Sequence, residues 1–160
     1  MHAVRVPMES LIEVILLQLE KGGKANLTIT GSSMMPMLQE YRDSVLLVST
    51  QEALRPGDIA LYQRDNGSYI LHRVIRLSPQ GYLFCGDNQA ELESVRQDQI
   101  IARVDGFFHN GKYHELTETG YRLYCWVWLK LFCVRKYYLW LRRRLGRLRR
   151  GLFNRRNFDG

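Results

Sequence analysis

The chain has 160 residues, which is long enough for one domain with its own hydrophobic core, and it carries a net charge of +7. Its three cysteines form no C-x-x-C pair, which argues against a disulfide framework or a structural zinc site. No G-x-G-x-x-G or Walker pattern supports nucleotide binding. We therefore expect neither a metal ion nor a cofactor.

Residues 8–21 predict an amphipathic helix, because apolar residues recur there at three- and four-residue spacing until Gly22-Gly23. Ser10 and Glu13 have the spacing of a capping box at its start. We expect the apolar stripe of this helix to pack on a sheet. Its apolar run is too short for a signal peptide, and the chain has no uncharged run of eighteen apolar residues that would predict a simple transmembrane helix.

The hydrophobic period changes to two after Lys24, and short strands then alternate with turns. Asn66-Gly67 is a strong hairpin signal. Residues 44–49 are apolar enough to predict a strand buried on both faces, whereas residues 89–98 are polar and predict a loop. The pattern indicates a mainly β fold with an antiparallel, coiled or barrel-like body. The predicted strands are 25–30, 44–49, 59–63, 69–77, 82–85, 100–108 and 113–116.

A different composition begins near Gly120, so we divide the chain into a β domain, residues 1–118, and a basic tail, residues 119–160. Residues 121–160 contain twelve Lys/Arg and one acid, whereas the first 120 residues contain eleven basic and fifteen acidic residues. One apolar stripe with steps of three and four predicts a long amphipathic C-terminal helix. Its members are Leu123, Val127, Leu131, Val134, Tyr138, Leu141, Leu145 and Leu148.

The tail combines tryptophans with arginines, a composition that favours an anionic membrane surface. Each charge at the middle of a bilayer costs about 2.5–3.5 kcal/mol, so a helix lying in the interface fits better than a spanning one. The alternative is docking on the β body or on a second copy. Aromatic side chains along a helix argue against a nucleic-acid partner, since RNA-reading aromatics usually lie on sheets or in pockets.

Four sequence blocks occur in order: Gly31–Pro36 (G-S-S-M-M-P), Pro56–Tyr62, Leu71–Leu77, and Gly86-Asp87-Asn88. In this order and spacing they resemble the type I signal peptidase family. The wider superfamily also contains the self-cleaving SOS and phage repressors. The resemblance covers about residues 25–107 of the chain.

The resemblance implies roles for two residues by position. The serine of the S-M-x-P box is the family's nucleophile, which here is Ser33, and the residue before R-V-I is the general base, which here is His72. The chain therefore resembles the Ser-His branch. An imidazole with an ordinary pKa of about 6.5 is able to take the serine proton at neutral pH. We expect the Ser33 N–H to be an oxyanion donor, with the hydroxyl of Ser32 or Thr30 as a second.

The third catalytic member remains open between two carboxylates. The resemblance implies a carboxylate from the Gly-Asp-Asn box or just beyond it, which is Asp87 or, alternatively, Glu93; Asp43 is a more distant alternative. The chain departs from signal peptidases at Gly31, where they usually have serine. It also lacks their usual N-terminal transmembrane anchor, so we expect membrane contact through the C-terminal helix.

We therefore predict a bacterial serine endopeptidase that cleaves a precursor protein or peptide by a Ser-His mechanism. It would be membrane-associated, either peripherally or through its C-terminal helix. Two alternatives remain: a catalytically inactive β binding module, and a self-cleaving repressor-type peptidase without a DNA-binding domain. The latter fits less well because the residues before the first strand predict one helix, which is too little for a helix-turn-helix.

Overall fold

The mainly β prediction is confirmed by the computed structural model, which describes residues 8–50, 52–132, 134, 137, 138 and 141. Eight strands are described, with a helix on either side of them in the sequence. The elements are α1 (Met8–Glu20), β1 (Ala25–Thr28), β2 (Ser44–Val48), β3 (Ile59–Gln63), β4 (Tyr69–Ser78), β5 (Gly81–Cys85), β6 (Glu93–Val95), β7 (Ile100–His109), β8 (Lys112–Glu115) and α2 (Thr119–Lys130), with short 3-10 helices at Ser32–Met34 and Gln97–Gln99.

The strands form one antiparallel sheet in the order β1-β2-β7-β3-β4-β5-β6, and β8 also pairs with β7. A closed barrel would require the two end strands to pair with each other. Among the described strands, however, β1 pairs only with β2, and β6 only with β5. The antiparallel β body is therefore confirmed, but its described sheet is open and does not close as a barrel does.

Within the described part of the chain, the core consists of two apolar clusters that share the central strand β3. Ile59 and Leu61 belong to the cluster that also contains the buried face of α1, whereas Ala60 and Tyr62 belong to the second. β3 is therefore buried on both faces and holds the neighbouring strand β4 in a fixed position. The second cluster consists of Leu54, Ala60, Tyr62, Val74, Tyr82, Phe84 and Val95.

The predicted N-terminal helix is confirmed, and Ile12, Ile15 and Leu19 on its apolar stripe are buried against the sheet. The proposed capping box is wrong, because Ser10 lies inside a helix that already includes Met8. It therefore does not occupy the N-cap position.

Two details of the predicted strands are wrong. β2 is buried on one face only, because Val45 is fully buried while Leu46 is half-buried. Residues 89–98 are not simply a loop, since they contain β6 and a 3-10 helix. β6 is a three-residue edge strand in which only Val95 is buried, so its sequence carries little hydrophobic signal.

The C-terminal helix packs on the body with a different face from the predicted stripe. Leu123 and Leu131 of the stripe are 60% and 49% exposed. Tyr121 and Cys125 instead contact Arg73 of β4. The predicted stripe residues Leu145 and Leu148 lie outside the described residues. Among the residues that the structure does describe, no helix is long and apolar enough to cross a membrane.

Candidate active site

Ser33 lies on a short loop that follows β1, within the 3-10 helix Ser32–Met34. The buried side chain of Met34 anchors this turn, while Ser33 itself remains half-buried. Asn88 ties the turn to the sheet, because its backbone N–H donates to the carbonyl oxygen of Ser33 at 2.7 Å and its side-chain amide donates to the carbonyl oxygen of Ser32 at 3.3 Å. The predicted nucleophile is therefore held by the Gly86-Asp87-Asn88 box.

His72 lies on β4, opposite Ala60 of β3, and is only 2% exposed. Burial lowers the pKa of His72 from 6.5 to about 4, although the negative charge of Glu93 acts in the opposite direction. The imidazole is therefore neutral at neutral pH. A neutral imidazole has one nitrogen lone pair that accepts a proton, as a general base must.

The backbone of the predicted nucleophile and the side chain of the predicted base both lie next to Gly86. A Cβ atom added to Gly86 would lie 2.7 Å from the carbonyl oxygen of Ser33 and 3.0 Å from Nε2 of His72. Both atoms therefore border the space that a side chain at position 86 would occupy. Three of the four sequence blocks thus converge here, and the remaining block supplies β3, which supports His72.

Asp87 is held in a buried ion pair with Arg73. Arg73 donates to both carboxylate oxygens, from Nε at 2.9 Å and from Nη2 at 2.7 Å, and both side chains are fully buried. Tyr124 of α2 donates its hydroxyl to the same carboxylate at 3.1 Å. The negative charge of Asp87 has a minor raising effect on the pKa of His72. The geometry therefore favours a structural role for Asp87, as a link between β4, the box and α2.

Glu93 reaches His72 through a tyrosine that the sequence did not predict. Tyr62 is fully buried, and its hydroxyl lies 3.2 Å from Nδ1 of His72 and 2.9 Å from Oε2 of Glu93. Arg64 donates to both oxygens of Glu93, at 2.5 and 2.6 Å. Burial by itself raises the pKa of Glu93, but the hydrogen bonds from Arg64 and Tyr62 outweigh it and lower the pKa below its usual value.

The register of the hairpin formed by β3 and β4 was the sequence signal that could have predicted Tyr62 beside His72. β3 and β4 are joined by the turn that contains Asn66-Gly67, and Gln63 pairs with Tyr69 at its base. Counting back along both strands places His72 opposite Ala60 and on the same face as Tyr62. Such diagonal neighbours on adjacent antiparallel strands are within reach of aromatic side chains.

Asp43, the more distant alternative, has other partners. It is buried and accepts hydrogen bonds from the Gln39 N–H at 2.8 Å, from Arg42 at 2.9 Å and from His109 at 3.0 Å. Burial alone raises the pKa of Asp43, yet these bonds lower it well below its usual range. Asp43 thus stabilises the segment between β1 and β2.

A cleft of about 140 Å³ lies beside Ser33, between the loop after β1 and the start of β4. Its wall is mainly apolar and includes Leu27, Ile29, Leu61 and Leu71. The predicted oxyanion donors lie near its rim: Thr30 is exposed and lines the cleft, and Ser32 is exposed next to Ser33. The first N–H groups of a helix have no partner within it, so the 3-10 turn at Ser32–Met34 leaves the Ser33 N–H without an intrahelical acceptor.

The chain matches no model of a known protein family and no curated protein. The resemblance to type I signal peptidases, which depends on the four sequence blocks, therefore stays a prediction.

Proposed function

We propose that this chain is a serine endopeptidase in which Ser33 is the nucleophile and His72 is the general base. The observation that carries the proposal is that the backbone carbonyl oxygen of Ser33 and Nε2 of His72 both lie within 3.0 Å of the same Cβ position on Gly86. The neutrality of the buried His72 supports it, because an imidazole that is already protonated takes no further proton. The cleft that Ser33 lines, and that His72 does not, supplies a place for a substrate side chain.

The proposed reaction has two steps. Ser33 Oγ attacks a peptide carbonyl carbon while its proton moves to Nε2 of His72, and the resulting oxyanion accepts a hydrogen bond from the Ser33 N–H. The C–N bond then breaks, and the imidazolium returns the proton to the leaving amine. In the second step water attacks the acyl carbon while His72 takes its proton, the bond between that carbon and Ser33 Oγ breaks, and the imidazolium returns the proton to Ser33 Oγ.

The proposed substrate is an extended segment of a precursor protein or peptide. β1 is an end strand, and the cleft borders Leu27 and Thr28 of β1 as well as Ile29 and Thr30 just beyond it. An end strand presents unpaired N–H and C=O groups, so an extended peptide is able to add to it as a further strand. The apolar wall and small volume of the cleft favour a small apolar side chain next to the cleaved bond.

A fluorophosphonate probe tests the nucleophile directly. The full chain is expected to be labelled at Ser33, because the oxygen of an activated serine attacks phosphorus and expels fluoride. We expect no labelling of Ser33→Ala and a rate about 10²- to 10⁴-fold lower for His72→Ala, since general-base catalysis typically contributes that factor. Mass spectrometry of the labelled peptide identifies the site. The control is Ser94→Ala on β6, which removes an exposed hydroxyl.

The pH dependence of labelling provides a second criterion. The reactive form has a neutral His72, so the rate is expected to persist through pH 5–6 and to fall only as the pH drops through about 4. If the labelling rate instead fell around pH 6.5, the ordinary pKa of histidine, the result would contradict a buried histidine base. Equal labelling of the wild type and Ser33→Ala, or none of either, would instead favour an inactive binding module.

We also propose that α2 holds the protein at an anionic membrane surface. Leu123 and Trp126 are each 60% exposed on this helix, and Arg122 and Lys130 are exposed beside them. Apolar side chains flanked by basic residues bind an interface by burying apolar area and attracting anionic headgroups. Tyr121 and Cys125 face the β body, where they contact Arg73, so the opposite face of α2 stays exposed and is free to contact a membrane.

Flotation with vesicles that contain phosphatidylglycerol tests this proposal. The double substitution Leu123→Glu and Trp126→Glu is expected to reduce the bound fraction at least tenfold, since each side chain contributes about 1.5–3 kcal/mol when it is buried. Leu77→Glu is the control, because Leu77 is 58% exposed but lies on β4. Equal flotation of both variants and the wild type would reject a role for this face.

A further inference from the structure

We propose that Tyr62 is a positioning residue that selects the tautomer of His72, and that Glu93, held by Arg64, sets the direction of the Tyr62 hydroxyl. The inference rests on the proposed function of His72 as the base. In the familiar serine-peptidase arrangement the carboxylate contacts the histidine directly. Here the uncharged hydroxyl of Tyr62 lies between Glu93 and His72.

The geometry is a chain of hydrogen bonds that begins near the surface and ends at the base. Arg64 donates to both oxygens of Glu93, and Oε2 of Glu93 lies 2.9 Å from the hydroxyl of Tyr62. The same hydroxyl lies 3.2 Å from Nδ1 of His72. The ring of Tyr62 is fully buried and packs on Phe84, with 4.9 Å between the ring centroids, so its hydroxyl is fixed in place.

The single proton of Tyr62 determines the direction of this chain. Glu93 accepts two hydrogen bonds from Arg64, and its pKa lies below its usual value. It is therefore ionised at neutral pH, and an ionised carboxylate only accepts hydrogen bonds. Tyr62, whose pKa is raised by burial and by Glu93, keeps its proton and donates it to Glu93. The hydroxyl oxygen is then an acceptor toward His72. Nδ1 of His72 must therefore carry the imidazole proton.

This assignment leaves the other nitrogen of His72 as the base. Nε2 has the lone pair, and it lies 3.0 Å from a Cβ position on Gly86 that is also 2.7 Å from the carbonyl oxygen of Ser33. When Nε2 takes the serine proton, the new positive charge is stabilised through Tyr62 by Glu93. The charged groups that act on His72 are Glu93 and Asp87, which favour its protonated form, and Arg64, which opposes it.

Nitrogen-15 NMR of the full chain with labelled histidines tests the tautomer without any substrate. At pH 7 the wild type is expected to show a protonated Nδ1 and an unprotonated Nε2 for His72, a signal that His72→Gln assigns by its loss. Tyr62→Phe keeps the ring but removes the acceptor, so the two tautomers should become mixed. The rate of fluorophosphonate labelling is expected to fall about 10- to 100-fold.

Tyr82→Phe is the matched control, because Tyr82 is a buried tyrosine of the same cluster whose hydroxyl bonds to Leu54 and Gln97. It should change neither the tautomer of His72 nor the labelling rate. A protonated Nε2 in the wild type, or equal effects of the two tyrosine substitutions, would overturn the proposal. A protonated Nδ1 that depends on Tyr62, in a protein that the probe does not label, would support the positioning role and reject the peptidase function instead.

Discussion

Replacement of Asp87 by asparagine is expected to lower the free energy of unfolding by about 3–5 kcal/mol. The change keeps the size of the side chain but removes its charge, so the fully buried guanidinium of Arg73 loses its counter-ion. Removing one partner of a buried pair is costly because the other charge stays desolvated. Urea unfolding of the full chain, followed by circular dichroism, measures the loss.

An exposed ion pair is the matched control for this prediction. Asp65 pairs with Arg96, but the two side chains are 77% and 52% exposed, so Asp65→Asn should cost less than about 1 kcal/mol. The double variant Arg73→Met with Asp87→Asn should be more stable than Asp87→Asn alone, because it removes the buried charge as well. Additive losses in the double variant would show that the pair is not the source of the effect.

The strands could be predicted because local signals determined them. Period-two hydrophobicity located seven of the eight described strands, and turn residues such as Asn66-Gly67 separated them. β6 was missed because Glu93-Ser94 are polar and the strand lies at the end of the sheet. The backbone of Ser33 and the side chain of His72 both lie next to Gly86, whereas the catalytic roles of Ser33 and His72 stay predictions.

The polar contacts of the site could not be predicted, because they depend on packing between distant segments. The ion pair of Arg73 and Asp87 also receives a hydrogen bond from Tyr124, which lies 37 residues beyond Asp87 in the sequence. The same packing explains why the apolar stripe misled the prediction for α2. The hydroxyls of Tyr121 and Tyr124 add hydrogen bonds to the buried Arg73–Asp87 ion pair, whereas Leu123 has no polar group to offer it.

Substitution of Gly86 by alanine is expected to slow fluorophosphonate labelling about 100-fold or more. The added Cβ would lie 2.7 Å from the carbonyl oxygen of Ser33 and 3.0 Å from Nε2 of His72, so at least one of them has to move. The Ser33 oxygen belongs to the backbone and already accepts from the Asn88 N–H, so its displacement would shift the nucleophile. A shift of about 1 Å in a catalytic group is able to cost a factor of about 10².

Gly31→Ala is the matched control, because it adds the same methyl group two residues before Ser33. Gly31 has an extended backbone, with φ −130° and ψ 157°, and a Cβ there would have no neighbour within 4 Å. Its labelling rate should therefore stay close to that of the wild type. Equal rates for both variants would mean that Ser33 and His72 do not need the spacing that Gly86 allows, and the convergence on this glycine would then carry no catalytic meaning. If Gly86→Ala alone is slow while its circular dichroism spectrum stays native, the loss belongs to the relative position of nucleophile and base.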